Sequence, residues 1–520
     1  MASRQGLQHP RLLVNVIEAK ALLIPDETYL LYAENSNWEQ DGYKTLTWKQ
    51  FNNAINKAAI WLDEKFSAAD TNNDQIFAYF GPNDMFIPDG RMTHDGTVAI
   101  LKQLGCKMWI TTNDQVDAYK ALVSEIPDLE LIAVPDLEFF VHSSDIKPYP
   151  FSKTWEEIKD GTAWIIHTSG TTGTPKPINI THGYISALDG WNILFERHRP
   201  RNITFEHMVG SRTLTAAPPQ WVVGVAFNLM TPAFLDMITV LPPANMSHPW
   251  EQEKLLNIFH QNKVTGLICP PSLIQNLFEE EIGQQFLKSL KYIMYSGAAL
   301  DHTVGDVLAS HTNLFSAIGS TETGPQLSFE SDDPSTWKTF DFVPEMGIHF
   351  FQPTFYIFPD ATSHPGGDIY SQVNDKHGNE RWLSRGRADD LVKLKWLAKF
   401  HASHIEETLQ KDWRIRSVYV GGQGRDAPFI IMELNNVEPL SADDQNNLLE
   451  GIYSETVHDV NQKDTDEIRI PRELVMLADP NLPFPRTIKG TVMRGEVEKA
   501  YNARIEAMYE RWNIVKTRSK

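Results

Sequence analysis

The segment Trp164-Ile-Ile-His-Thr-Ser-Gly-Thr-Thr-Gly-Thr-Pro-Lys-Pro177 decides how this chain is read. It begins as an apolar run, crosses five hydroxyl side chains and two glycines, and ends in Lys176 between Pro175 and Pro177. The spacing predicts a buried strand feeding a loop. Glycines let backbone N–H groups converge on an anion, hydroxyls add donors and the lysine adds charge, so the composition suits a polyphosphate. A Walker A loop places its lysine at the opening of a helix, and the flanking prolines disfavour a helix start at Lys176. A flexible polar connector has no reason to combine a preceding strand, this density of hydroxyls and a lysine fixed by prolines.

Between about Lys44 and Leu290, short apolar runs alternate with helix-like stretches. IFAYF (76–80), KMWITTND (107–114), LELIAVP (129–135), TAWIIHTS (162–169) and VTGLICPP (264–271) read as short buried strands. KTLTWKQFNNAINKAAIWLDEKF (44–66) reads as an amphipathic helix. Such alternation predicts a large α/β unit with mostly parallel sheets. From Asp389 the character changes to a hairpin (414–435), a helix (441–460) and a last helix (495–512). The expected fold is therefore α/β, with a large N-terminal domain of mixed sheets and helices over 1–388 and a small mobile α+β domain over 389–520.

With 520 residues the chain exceeds one ordinary core. Its net charge of −20 argues against a nucleic-acid binder, which would show a basic face, and disfavours anionic membranes. Cys106 and Cys269 are the only cysteines, too few for a disulfide framework or a thiolate zinc cluster. Neither a signal-peptide core nor an apolar run of transmembrane length is present, so a reducing, cytoplasmic location is expected.

Ser169-Gly-Thr-Thr-Gly-Thr-Pro-Lys176 resembles the phosphate loop of the adenylate-forming superfamily of acyl-CoA synthetases, luciferases and peptide-synthetase adenylation domains. Four further segments follow in the family's order: Tyr295-Ser-Gly-Ala-Ala-Leu300, Ile318-Gly-Ser-Thr-Glu-Thr-Gly324, the hinge-like Gly386-Arg-Ala-Asp-Asp-Leu-Val-Lys393, and Pro485-Arg-Thr-Ile-Lys-Gly-Thr-Val-Met-Arg494. The resemblance spans about residues 20–512. It implies ATP- and Mg²⁺-dependent conversion of a carboxylic acid to its acyl-AMP, with an active site between the two domains. Thr168, Ser169, Gly170, Thr171, Thr172, Gly173 and Lys176 would hold the phosphates, and Gly297, Ala298 and Ile318 would flank adenine. Asp368 would accept the ribose hydroxyls with Arg387 assisting, Thr321 would contact the α-phosphate, and Glu322 would ligate Mg²⁺. His167, Trp221, Val222, Phe227 and Gly319 would border the acid, Lys489 would be the catalytic lysine, and Asp389 the hinge.

These residue types match the chemistry, because a carboxylate attacking the α-phosphate of ATP brings two anions together. At the segment Ala217-Pro-Pro-Gln-Trp-Val-Val-Gly-Val225, family members that activate amino acids place an aspartate against the ammonium. Here Val222 takes that position, so the resemblance implies an acid without a free α-amine, aryl or small, a quaternary-ammonium acid remaining open through Trp221 and Phe227. The order Lys489-Gly490-Thr491 inverts the usual Gly-Lys and resembles fungal peptide-synthetase-like enzymes, in which a carrier and a reductase or thioesterase follow. The expected acceptor is thus a phosphopantetheine thiol on a carrier domain of the same full-length chain. A free-standing acyl- or aryl-CoA ligase using coenzyme A and a non-catalytic nucleotide-binding relative are the alternatives. Ile318 replaces an adenine-stacking aromatic, and Lys393-Leu-Lys-Trp-Leu-Ala-Lys-Phe-His401 lacks the family glycine, Trp396 or Leu397 standing nearest to it. Lys399 ranks behind Lys489 as the cation, Gly422-Gln-Gly424 reads as a hairpin turn, and His401 with His404 lacks a third metal ligand.

Asp389→Pro, by fixing φ at the hinge, is expected to impair one half-reaction far more than the other. Separate rates of acyl-AMP formation and thioester formation measure this, and an equal loss in both removes the hinge assignment.

Overall fold

The computed structural model describes residues 11–66, 76–80, 94–141, 146–168, 176–217, 222–244, 246, 250–296, 300–348, 368–387, 391–394, 399–435, 441–463, 469–486 and 492–518. Two compact units make up the chain, Met1–Phe350 and Phe351–Lys520. The fold is mixed α/β, with the larger unit first, as the alternation of strands and helices leads one to expect.

In the first unit a seven-stranded sheet runs in the order Asn313–Ser316, Tyr292–Tyr295, Gly266–Cys269, Arg212–Thr215, Ile238–Val240, Thr28–Tyr32, Lys44–Thr47. All neighbours are parallel except the last pair. Every residue of Gly266–Cys269 and Tyr292–Tyr295 is buried, because helices cover both faces of a parallel sheet. Side chains alternate between two cores, as the strand period of two requires. Ile268, Met294 and Phe315 pack with Phe205 and Phe234 on one face. Leu267, Cys269, Ile293 and Leu314 pack on the other with Leu255, Phe259 and Ile274 from the helices Gln252–Asn262 and Pro271–Phe278.

A smaller parallel sheet orders Phe77–Phe80, Met108–Thr111 and Glu130–Ala133. Its middle strand is buried throughout, but Phe77 is 40% exposed, so IFAYF is not the wholly buried strand that its composition implies. Residues 44–66 also differ from a single helix: Lys44–Thr47 pairs with Thr28–Tyr32, and the helix begins at Trp48. Two threonines within KTLT suit an edge strand better than a first helical turn.

In the second unit Ile415–Gly421, Phe429–Leu434 and Val475–Leu477 form one sheet. Val418, Val420, Ile430 and Met432 face Ile405 and Ile452 on one side. Tyr419, Phe429 and Ile431 face Val497, Tyr501, Ile505 and Met508 of the last helix, Arg494–Arg518, on the other. Gly422-Gln-Gly424 lies in the turn between the first two of these strands, with Gly424 at φ +68°, and is no dinucleotide fingerprint. Lys399 opens the strand Lys399–His401 opposite Lys393.

Tyr292 lies beside Gly266 in the sheet: its hydroxyl is 2.6 Å from Thr213 Oγ1, and a Cβ at Gly266 would sit 2.3 Å from its ring. Gly266→Ala is therefore expected to destabilise the first unit by about 1–3 kcal/mol through overpacking. Urea denaturation measures it, and an unchanged midpoint contradicts this account of the sheet.

Candidate active site

Three of the segments singled out in the sequence leave the seven-stranded sheet at the carboxyl ends of its strands. Arg212–Thr215, the central strand, leads to the short helix Val222–Val225. Tyr295 and Ser316 end adjacent strands in register, and Ala317 N donates to Tyr295 O at 2.8 Å. From there the chain runs through Ile318 into a tight hairpin, Gly319–Ser320 against Gly324–Pro325, closed by Gln326 N donating to Ile318 O at 2.8 Å. Crevices at the carboxyl ends of parallel strands are where such sheets bind ligands.

Thr321 and Glu322 occupy the turn of that hairpin, Thr321 half-buried and Glu322 exposed. Ser320 Oγ accepts from Thr323 N at 3.2 Å and braces the turn from within. Gly319 is sterically required, since a Cβ there would lie 2.3 Å from Gly324 O. Glu322 is a single carboxylate on an open turn. That suits Mg²⁺, which keeps waters and substrate phosphates in its shell and takes only one or two protein carboxylates. Among the described residues, no group of three His, Cys, Asp or Glu side chains is placed to hold a metal by itself.

The Ser/Thr/Gly-rich segment joins two antiparallel strands, Thr162–Thr168 and Lys176–Thr181, with Thr168 opposite Lys176 and His167 opposite Pro177. Lys176 thus opens a strand, not a helix. Residues 169–175, including Ser169, Gly170, Thr171, Thr172 and Gly173, lie outside the described residues, as do Trp221, Gly297, Ala298, Asp389 and Lys489. The second strand delivers a residue that the sequence reading missed. Thr181 caps the helix His182–Ser186, its hydroxyl accepting from Tyr184 N at 3.1 Å. A Cβ on Gly324 would meet the Tyr184 hydroxyl at 3.2 Å. Burial, with a further contribution from the Glu322 carboxylate, pushes the Tyr184 phenol up to about 12. The hairpin that ends the phosphate-loop segment and the turn bearing Glu322 therefore meet at Tyr184. A tyrosine after a threonine cap, one strand beyond the Ser/Thr/Gly-rich segment, was the available signal.

Val222 is half-buried at the start of its helix, whereas Phe227 is 3% exposed and packed in the core of the first unit. Phe227 O accepts from the hydroxyls of Thr231 at 3.3 Å and Thr239 at 2.9 Å, within a π-helical turn, Ala226–Met230. Asp236, the carboxylate closest in sequence after Val222, ends the helix Thr231–Leu235 in a left-handed conformation and pairs with Lys20. In the second unit Asp368 and Arg387 lie directly opposite in the antiparallel strands Asp368–Asn374 and Glu380–Arg387.

Residues 88–362 match the AMP-binding enzyme family and residues 389–513 match the AMP-binding enzyme C-terminal domain. A carboxylic acid reductase of Neurospora crassa is 26% identical over 96% of this chain and 51% of its own length. An isocyanide synthase-NRPS hybrid, crmA, of Aspergillus fumigatus is 26% identical over 97% of this chain and 34% of its own length. The chain thus spans about half or less of these relatives. An anthranilate CoA ligase, AuaEII, solved with anthranoyl-AMP, shares the fold with a TM-score of 0.63 at 15% identity, over 95% of this chain and 98% of that one.

Replacing Glu322 with Gln removes a negative charge that opposes tyrosinate formation, so the Tyr184 phenol is expected to titrate lower, burial still holding it above the ordinary value. Alkaline difference absorbance against Tyr184→Phe reads this shift. An unaltered titration means that the carboxylate does not face the phenol.

Proposed function

The chain belongs to the AMP-binding enzyme family and is an adenylate-forming ligase, and from that premise we propose that it activates a carboxylic acid lacking a free α-amine. ATP supplies the adenylyl group, pyrophosphate leaves, and the acyl group passes to a phosphopantetheine thiol on a carrier domain. The observation that carries the substrate reading is the fate of the acidic side chains near Val222. Among the described residues 222–235 there is no Asp or Glu, and Asp236 is engaged by Lys20 with its side chain 58% exposed. A buried ammonium without a partner carries a desolvation penalty of several kcal/mol, so a free α-amino acid is rejected.

The roles follow from charge. Thr168, the segment 169–173 and Lys176 hold the β- and γ-phosphates, and Thr321 contacts the α-phosphate. Mg²⁺ on Glu322, when bound, offsets phosphate charge. Gly297, Ala298 and Ile318 flank the adenine, while Asp368 accepts from the ribose and the facing Arg387 orients it. His167, Trp221, Val222, Phe227 and Gly319 belong to the acid's surroundings, with Phe227 acting from the core beneath. Lys489 neutralises the attacking carboxylate, and Asp389 is the hinge at a functional boundary between 388 and 389. The long reductase and synthetase relatives support a carrier domain as acceptor, and an aryl or small acid suits the apolar Val222. Both cysteines are free and buried, as a reducing cytoplasm allows, and no helix among the described residues is long and apolar enough to cross a membrane.

ATP–pyrophosphate exchange with matched pairs, phenylalanine against phenylpropionate and glycine against glycine betaine, tests the reading. The acids without a free α-amine are expected to turn over faster, and Lys489→Ala is expected to lose about a hundredfold or more. Preference for the free amino acids refutes the role of Val222. Wild-type exchange in Lys489→Ala refutes the lysine, and better transfer to coenzyme A than to a phosphopantetheinylated carrier replaces the acceptor.

A further inference from the structure

The residues that flank 487–491, the segment bearing Lys489, are tied to one another. Arg486 and Val492 bridge across it, and Met493 N donates to Pro485 O at 2.8 Å. On the Arg486 side, Ser417 and Glu433 lie directly opposite in their antiparallel strands, so their side chains share one face. Both are buried, at 5% and 8% exposure. Glu433 Oε1 accepts from Phe484 N at 2.7 Å, and Oε2 accepts from the Arg486 guanidinium. The same guanidinium nitrogen donates to Ser417 Oγ at 2.7 Å. On the other side Arg494 donates to Glu406 Oε1 at 2.5 Å and to Val420 O, and Glu406 Oε1 also accepts from Val420 N at 2.7 Å.

This polar placement is at odds with stability alone. On the face of Phe429–Leu434 that meets the last helix, Phe429 and Ile431 are apolar and core-packed, and the period of two brings Glu433 next. A buried carboxylate is costly to desolvate, and an apolar pair of similar volume would serve the sheet at least as well. What the carboxylate does that a leucine cannot is grip two points, Phe484 N and Arg486, just before residues 487–491. Ser417, Glu433 and Arg486 together fix where the chain stands as it enters that segment.

We propose that Glu433, acting through Arg486, is a positioning residue that sets where the Lys489 ammonium stands during adenylation; the inference rests on the catalytic role given to Lys489. Displacement of a reacting group by about 1 Å by a remote change costs on the order of a hundredfold in rate. Glu433→Gln preserves volume and an acceptor for Phe484 N–H but removes the charge that holds Arg486.

Steady-state ATP–pyrophosphate exchange and thermal denaturation are measured for the full chain, for Glu433→Gln, for Lys489→Ala and for the double variant. Glu433→Gln is expected to lower kcat about tenfold or more with the KM for ATP within about twofold. In the Lys489→Ala background the same change is expected to add no further loss, since no ammonium remains to be placed. Tryptic cleavage after Lys489, identified by mass, is expected to accelerate in Glu433→Gln while cleavage elsewhere does not. If Lys489→Ala exchanges at the wild-type rate, the lysine reading fails and the positioning role with it. If Lys489→Ala is impaired but Glu433→Gln is not, or if Glu433→Gln lowers both backgrounds by the same factor, the positioning role alone is overturned. Should Glu433→Gln not fold, Arg486→Lys keeps the charge but loses the guanidinium that Glu433 and Ser417 hold, and is judged by the same outcomes.

Discussion

The parallel pairing of buried strands in the first unit is the constraint on which the other features depend. A strand hydrogen-bonded on both edges and covered on both faces has no polar group left to offer a ligand. Chemistry is thereby confined to the chain leaving the strand ends. Thr215, Tyr295 and Ser316 are all such ends, and the segments after them carry Val222, the 295–300 motif and Glu322. Parallel strands point the same way, so residues far apart in the chain emerge along one edge of the sheet.

Charge sets a second constraint. A chain with a net charge of −20 that handles a polyphosphate must supply its attraction locally, through backbone N–H groups, hydroxyls and a few fixed cations. In the first unit Lys176 opens a strand and Thr321 and Glu322 stand in a hairpin turn. Tyr184, kept neutral by burial beside Glu322, can donate its proton in a hydrogen bond without adding negative charge beside that carboxylate.

The second unit repeats the logic of alternating faces with a different emphasis. Its sheet separates a core under the helices Ala402–Leu409 and Ala442–Ile452 from one under the last helix. Where the apolar alternation stops, at Ser417 and Glu433, the chain anchors a loop instead of a helix. Buried ion pairs contribute little to net stability but hold geometry when every partner is satisfied.

Much of this was written in the chain as local pattern. Short apolar runs identified strands such as Met108–Thr111, Thr162–Thr168 and Gly266–Cys269, and the prolines about Lys176 disfavoured a helix start there, because these are properties of neighbouring residues. Lys44–Thr47 escaped that reading, since four residues that could begin a helix become a strand when Thr28–Tyr32 lies alongside. Phe77 likewise reads as core until its strand falls at the edge of a sheet. Tyr184 gained its place beside Glu322 across more than a hundred residues, and Asp236 found its ion-pair partner in Lys20, more than two hundred residues away. Asp368 facing Arg387, and Ser417 facing Glu433 beneath Arg486, are matters of register. The residue types and their order belong to the sequence, because each motif's chemistry lies in its own side chains. Which motif stands beside which was decided only by the tertiary structure, because strand pairing and burial join residues whose separation along the chain carries no information about their distance.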